Sequence, residues 1–212
     1  MKTILCYGDS NTFGYDPSDG MRYPPDIRWT GRLQDALKDS YVVIEEGCNG
    51  RTTIFPDPVE EWKNGLPYLK PCLNSHKPID IVILMLGSND LKDIYHASAG
   101  DIADGAGVLA DTIKEFTEIK QGFVPKIILV SPPHIGEGIL ESPFSYAFDE
   151  TAIERSLAFA DEFRRVAKEK SCIFFDAAEV AEPSSIDSLH LSPKAHAALS
   201  KALAELIISL EE

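Results

Sequence analysis

The chain has 212 residues, 44% hydrophobic and 25% charged, which is enough to bury a full core and is ordinary for a folded protein. Its 20 Lys+Arg against 34 Asp+Glu give a net charge of −14. That balance argues against a nucleic-acid or anionic-membrane partner, because phosphate binding needs clustered cations.

The first element is a strand-length apolar run, Thr3-Ile4-Leu5-Cys6-Tyr7. It is shorter than the apolar core of a secretory signal, and no segment approaches the ~18 apolar residues of a membrane span, so a cytoplasmic protein is expected. Cys6, Cys48, Cys72 and Cys172 lack metal-ligand spacing and read as reduced thiols, mostly buried. Further apolar runs lie at 42–45, 81–86, 126–130 and 172–175. Near-continuous Val/Ile/Leu/Phe content, in place of alternation, is what a parallel sheet covered on both faces requires.

Helix-period segments fall between the runs. Ile102, Ala106, Leu109, Ile113 and Phe116 share one face, and Ile153, Leu157, Ala160, Phe163 and Ala167 share another. In the last segment Ser192 suits an N-cap and Pro193 the first helical position, ahead of a wide apolar stripe from Ala195 to Leu210. Alternating strands and helices predict a three-layer α/β/α domain with a five-stranded parallel sheet. No linker, repeat or low-complexity tract divides it, so residues 1–212 are expected to form a single domain.

Ligands of such sheets bind outside the carboxyl ends of the strands. The residues that could carry chemistry fall there four times: Gly8-Asp9-Ser10-Asn11 after strand 1, Gly47 to Gly50 after strand 2, Gly87-Ser88-Asn89-Asp90 after strand 3, and Asp187-Ser188-Leu189-His190 before the last helix. A serine hydroxyl is a poor nucleophile unless a base takes its proton, and imidazole is suited to do so near neutral pH. A carboxylate three residues before the histidine can hold the ring in one tautomer. Taken singly, each piece has a bland reading: Ser10 as a turn residue capping a helix, and Asp187 and His190 as loop punctuation.

Competing motifs are weaker. Gly8-Asp9-Ser10-Asn11-Thr12 is not the Gly-x-Ser-x-Gly elbow. Asp9 opposes a phosphate loop at Ser10–Thr12, and no Gly-x-x-x-x-Gly-Lys-Ser/Thr occurs. Among the other histidines, His76 and His134 lack an obvious acidic partner and His196 falls on the polar side of the last helix. Asp93-x-x-His96 repeats the Asp-x-x-His spacing, so spacing alone does not choose His190.

In their order, Gly8-Asp9-Ser10, Gly50, Gly87-Ser88-Asn89-Asp90 and Asp187-x-x-His190 resemble the four sequence blocks of the SGNH, or GDSL, hydrolases. Arg28-Trp29-Thr30-Gly31, Glu45-Glu46-Gly47, Arg51-Thr52-Thr53, Met85-Leu86-Gly87, Val130-Ser131-Pro132-Pro133, Asn64-Gly65, Tyr68-Leu69 and Cys72-Leu73 look like the bacterial aryl esterase and acyltransferase branch. The resemblance implies the flavodoxin-like SGNH fold and a serine esterase acting on short-chain or aryl esters. It implies Ser10 as nucleophile, His190 as base, Asp187 as its orienting carboxylate, and an oxyanion hole from the Ser10 N–H, the Gly50 N–H and the Asn89 side chain.

Asp9, Asn11, Phe13 and Trp29 are the candidate substrate-contacting residues, with core packing an equally good account of Phe13 and Trp29. The aromatic, glycine-containing segment 134–146 reads as a loop that shapes the pocket. The expected partner is a small ester; no cofactor or metal is expected. The resemblance and the Pro-rich segment 55–78 also raise a homo-oligomer. Acyl transfer to an alcohol or peroxide, deacetylation of carbohydrate esters by the same triad, and a non-catalytic binding module are the alternative activities.

Overall fold

In the computed structural model, which describes residues 1–211, the five predicted runs are strands of one parallel sheet: β1 (Lys2–Gly8), β2 (Tyr41–Gly47), β3 (Ile81–Met85), β4 (Lys126–Ser131) and β5 (Ile173–Asp176). Their order across the sheet is β2-β1-β3-β4-β5. Side chains alternate between two cores, as a strand's two-residue period demands. Leu5, Tyr7, Val82 and Leu84 enter one core; Ile4, Cys6, Ile81, Ile83 and Met85 enter the other.

Among the described residues there are seven α-helices, six of them between strands and α7 after β5: α1 (Ser10–Phe13), α2 (Trp29–Leu37), α3 (Gly65–His76), α4 (Ala99–Gln121), α5 (Thr151–Leu157), α6 (Phe159–Glu169) and α7 (Pro193–Ser209). Buried residues of α3, α4, α5 and α6 close the first core, and those of α2 and α7 the second. The ends follow local chemistry. Ser98 and Asp101 form a capping box that starts α4, and Gly122, with φ 81°, ends it. Ser192 accepts from the Ala195 N–H at 3.3 Å to start α7, with Pro193 in its first turn.

The structure corrects three sequence expectations. The predicted helix through Ile153 and Ala167 breaks at Ala158, and the change of phase leaves Leu157 exposed while Ala152, Ser156 and Phe159 turn inward. Strand β2 lies at the sheet edge, so of its residues Tyr41 alone is fully buried, and Cys48 and Cys172 are also only partly covered. His196 is fully buried, its Nδ1 accepting from the Trp29 N–H at 3.2 Å. Burial, aided by nearby His190, pushes its pKa down to about 3, so it is a neutral core histidine.

Parallel strands place all their carboxyl ends on one rim. The register sets Gly8 beside both Gly47 and Met85, so the turns after β1, β2 and β3 begin level with one another. Among the described residues no helix is long and apolar enough to cross a membrane.

Candidate active site

Strand β1 ends at Gly8, and the chain turns at once into the one-turn helix α1. Asp9 caps it, accepting from the Asn11 N–H at 2.9 Å. Gly8 has no room for a side chain: a Cβ there would sit 2.1 Å from Thr12 Oγ1 and 2.8 Å from the Met85 carbonyl. Ser10, the first residue of α1, is thereby held on the rim with its N–H among the first-turn donors that a helix leaves free.

The segment before α7 supplies the opposing groups. Asp187 Oδ1 accepts from the N–H groups of Leu189 (3.0 Å) and His190 (2.9 Å), which curls the chain into a tight turn through Ser188, whose φ is 58°. The curl brings Asp187 Oδ2 to 2.6 Å from His190 Nδ1, and His190 Nε2 lies 2.8 Å from Ser10 Oγ. Burial opposes ionisation of Asp187, but the His190 ring and the two backbone donors outweigh it and hold this carboxyl below its ordinary value. A carboxylate, an imidazole and a hydroxyl thus form one hydrogen-bonded chain. The competing Asp93–His96 pair is exposed, with 3.6 Å between Nδ1 and Oδ1, and His96 is not among the residues lining the cavity.

Gly50 and Asn89 line the same cavity as Ser10. Gly50 takes φ 79°, a left-handed conformation in which glycine is unstrained. Gly47 is glycine for a different reason, since a Cβ there would meet the Phe13 backbone nitrogen at 2.1 Å. Asn89 Nδ2 donates to the Arg51 carbonyl at 3.2 Å, which orients the amide and leaves its second N–H free. Arg51 ties the rim together, donating to the carbonyls of Gly8 (2.9 Å) and Glu46 while its guanidinium lies 4.2 Å from the Tyr7 ring centre. Asp90 accepts from the Thr53 N–H at 2.9 Å and from the Thr53 hydroxyl, locking the turn of β3 to that of β2.

A cavity of about 490 Å³ opens over these groups. Of the four residues expected to contact substrate, Phe13 alone lines it. Asp9 and Asn11 are buried beneath Ser10. Trp29 is wholly buried in the second core, where its indole N–H donates to the Asn11 carbonyl at 3.0 Å. These three support the serine turn and do not form the pocket.

Sequence reasoning missed part of the wall: Tyr15, Trp62, Lys63, Lys92 and Phe148. Tyr15 and Phe144 flank His190, with ring centres 4.2 Å and 5.3 Å away. The aromatic loop 134–146, expected to shape the pocket, contributes Phe144 and Tyr146 to the wall. Its two glycines serve the turn behind the site. A Cβ on Gly136 would sit 2.9 Å from Ser188 Cβ and one on Gly138 2.8 Å from Ser188 Oγ, while the Gly136 N–H donates to the Ser188 carbonyl at 2.8 Å.

His76 does have an acidic partner, contrary to the sequence reading, its Nε2 lying 2.7 Å from Glu46 Oε1. Cys72 Sγ joins them within 4.8 Å. Burial pushes the Cys72 thiol up to about 12, which keeps it protonated, so the cluster is read as a His76–Glu46 hydrogen bond beside a buried thiol.

A rim of this kind on a five-stranded parallel sheet defines the class of α/β acylhydrolases. Residues 6–198 match the GDSL-like lipase/acylhydrolase family, and the chain belongs to it. No curated protein matches the sequence. Among solved structures it is similar to the native aryl esterase of M. smegmatis (36% identity, 99% of this chain and 100% of that one, TM-score 0.92). It is also similar to a carbohydrate acetylesterase from Sinorhizobium meliloti (33% identity, 99% and 100%, TM-score 0.93). A second carbohydrate acetylesterase family member from that organism matches at 36% identity over 98% and 97%, with TM-score 0.88. The protein is a carboxylic ester hydrolase.

Proposed function

We propose that the chain hydrolyses short-chain or aryl esters through an acyl-enzyme on Ser10. The observation that carries this reading is the unbroken hydrogen-bonded line from Asp187 through His190 to Ser10, at 2.6 Å and 2.8 Å. His190 Nε2 takes the hydroxyl proton as Ser10 Oγ attacks the ester carbonyl carbon, and Asp187 steadies the imidazolium that forms. The N–H groups of Ser10 and Gly50 and the Asn89 amide receive the oxyanion. Collapse expels the alcohol, which takes its proton from His190. Water, activated by the same imidazole, then releases the acid and restores Ser10. Every proton and electron pair is carried by the chain and its two reactants.

The test is hydrolysis of p-nitrophenyl acetate, butyrate and octanoate by wild type and by Ser10→Ala. Activity confined to the wild type is expected, and its decline with chain length would size the acyl pocket. Equal activity in both proteins overturns the reading. The aromatic walls at Phe13, Tyr15, Phe144 and Phe148 favour transfer of the acyl group to an alcohol or peroxide in competition with water. A product ratio that follows the water content alone in water–alcohol mixtures would count against acyl transfer.

Deacetylation of carbohydrate esters by the same residues is the second reading, favoured by the likeness to two acetylesterase structures. It requires acetate release from acetylated sugars at rates rivalling aryl acetates. A cytoplasmic setting suits four unpaired cysteines. Self-association through the 55–78 segment suits the exposure of Val59 and Trp62, and elution at monomer size would refute it.

A further inference from the structure

Two lysines face the substrate cavity, and hydrolysis as proposed uses neither. Lys92 follows the 3₁₀ turn Asn89–Leu91. One 3₁₀ turn is three residues, so Asn89 and Lys92 leave the turn on the same side, and both line the cavity. Lys63 ends the 3₁₀ turn Glu61–Lys63, and its stem crosses Gly50, where a Cβ would sit 2.6 Å from Lys63 Cε. Lys63 and Lys92 thus line the same cavity as Ser10, Gly50 and Asn89.

Their partners differ. Lys63 pairs with Glu60 and lies 3.8 Å from Asp57. Lys92 is partly buried, yet among the described residues its ammonium has neither a hydrogen bond nor an ion pair. A poorly solvated ammonium without a partner is unfavourable. Burial first, and the charge of Lys63 second, lower the pKa of Lys92; the carboxyls of Asp57, Asp9 and Asp90 only partly offset this. An anion placed at Lys92 would supply an acceptor and relieve the repulsion between the ammonium groups. Aromatic walls would strengthen that contact by excluding water.

We propose that Lys92 binds a carboxylate carried by the substrate, so that the pocket selects anionic esters, such as half-esters of dicarboxylic acids, over neutral esters of the same size. The inference rests on the esterase reading and deepens it. The net charge of −14 gives no long-range attraction to anions, so the selectivity must arise by contact inside the cavity. Such a contact is made in ground state and transition state alike, and its loss should raise KM more than it lowers kcat.

The experiment compares two matched pairs in wild type, Lys92→Met and Lys92→Arg. Mono-(4-nitrophenyl) glutarate against 4-nitrophenyl valerate puts the charge on the acyl side. 4-Carboxyphenyl acetate against its methyl ester puts it on the alcohol side. For at least one pair, wild type should favour the anionic member. In Lys92→Met the anionic-to-neutral ratio of kcat/KM should fall on the order of tenfold, mostly through KM, and Lys92→Arg should retain it. The responding pair tells where the carboxylate sits.

A wild type that prefers the neutral member of both pairs overturns the proposal without reference to any variant. A ratio unchanged by Lys92→Met also overturns it. A wild type that hydrolyses none of the four esters overturns the esterase reading, and this inference with it.

Discussion

Asn11 Oδ1 accepts a hydrogen bond from the Leu191 N–H at 3.0 Å, so the residue after the serine is fastened to the residue after the histidine across 180 positions of sequence. Asn11 Nδ2 adds a longer contact to the Leu189 carbonyl at 3.4 Å. Both contacts are buried, and they hold the separation between Ser10 and His190 without touching substrate. We predict that Asn11→Ala lowers kcat by about 10²-fold with a small change in KM, since small misplacements at a reacting centre are costly. Steady-state kinetics on p-nitrophenyl acetate checks it; a change confined to KM would place Asn11 in the binding surface instead.

Trp29 acts one step further back. Its indole N–H holds the Asn11 carbonyl, and the ring fills the second core. Trp29→Phe should cost about 1–3 kcal/mol of stability, through the lost hydrogen bond and the buried carbonyl left without it. Because Trp29 does not line the cavity, KM should hold. Urea unfolding and a Michaelis curve separate the two effects, and a stable variant with altered KM contradicts the assignment.

Asn89 tests the oxyanion hole. Asn89→Ala removes the free amide N–H and should reduce kcat by ~10²–10³. The Arg51 carbonyl loses its donor as well, so thermal unfolding should be measured alongside. A fall in kcat of less than tenfold would take Asn89 out of transition-state stabilisation.

Asp9 gives a pH signature. Burial raises its pKa to about 7, opposed by the Asn11 N–H and reinforced by Asp90, against an ordinary value of 3.8. Between these values the folded chain holds a proton that the unfolded chain has released. The stabilisation this brings is complete below about pH 4 and is lost as pH rises through about 7. Asp9→Asn keeps a cap oxygen but has no proton to lose. Its stability relative to wild type should therefore rise from pH 4 to 7 and level off above. Asp187 and His196, whose lowered pKa values act in the opposite sense, cancel in that difference. A difference flat across this range, read from urea midpoints, would show that Asp9 ionises normally.

Much of the rim was readable because its residues are fixed by local rules. Gly8, Ser10, Asn89 and the Asp187–His190 turn each lie within a few residues of a strand end or helix cap, where sequence and geometry are tightly linked. The assignment failed where a side chain's surroundings come from distant segments. Trp29 and His196 touch each other across 167 positions and share a buried interface between α2 and α7 that no local pattern announces. Lys63 and Lys92 look like ordinary surface lysines until the topology turns them into one cavity. The α5–α6 break escaped because two short helices out of phase read as one longer periodic segment.

The loop before α5 has two duties. Its Gly136 rests on Ser188 and braces the turn carrying Asp187 and His190, while Phe144 and Tyr146 form part of the cavity wall. Reshaping the pocket by inserting or deleting residues there would shift the brace, so variants selected for new substrates should accumulate side-chain exchanges at 144 and 146 while loop length stays constant. An engineer altering specificity and one protecting turnover would be working on the same eleven residues, 136–146.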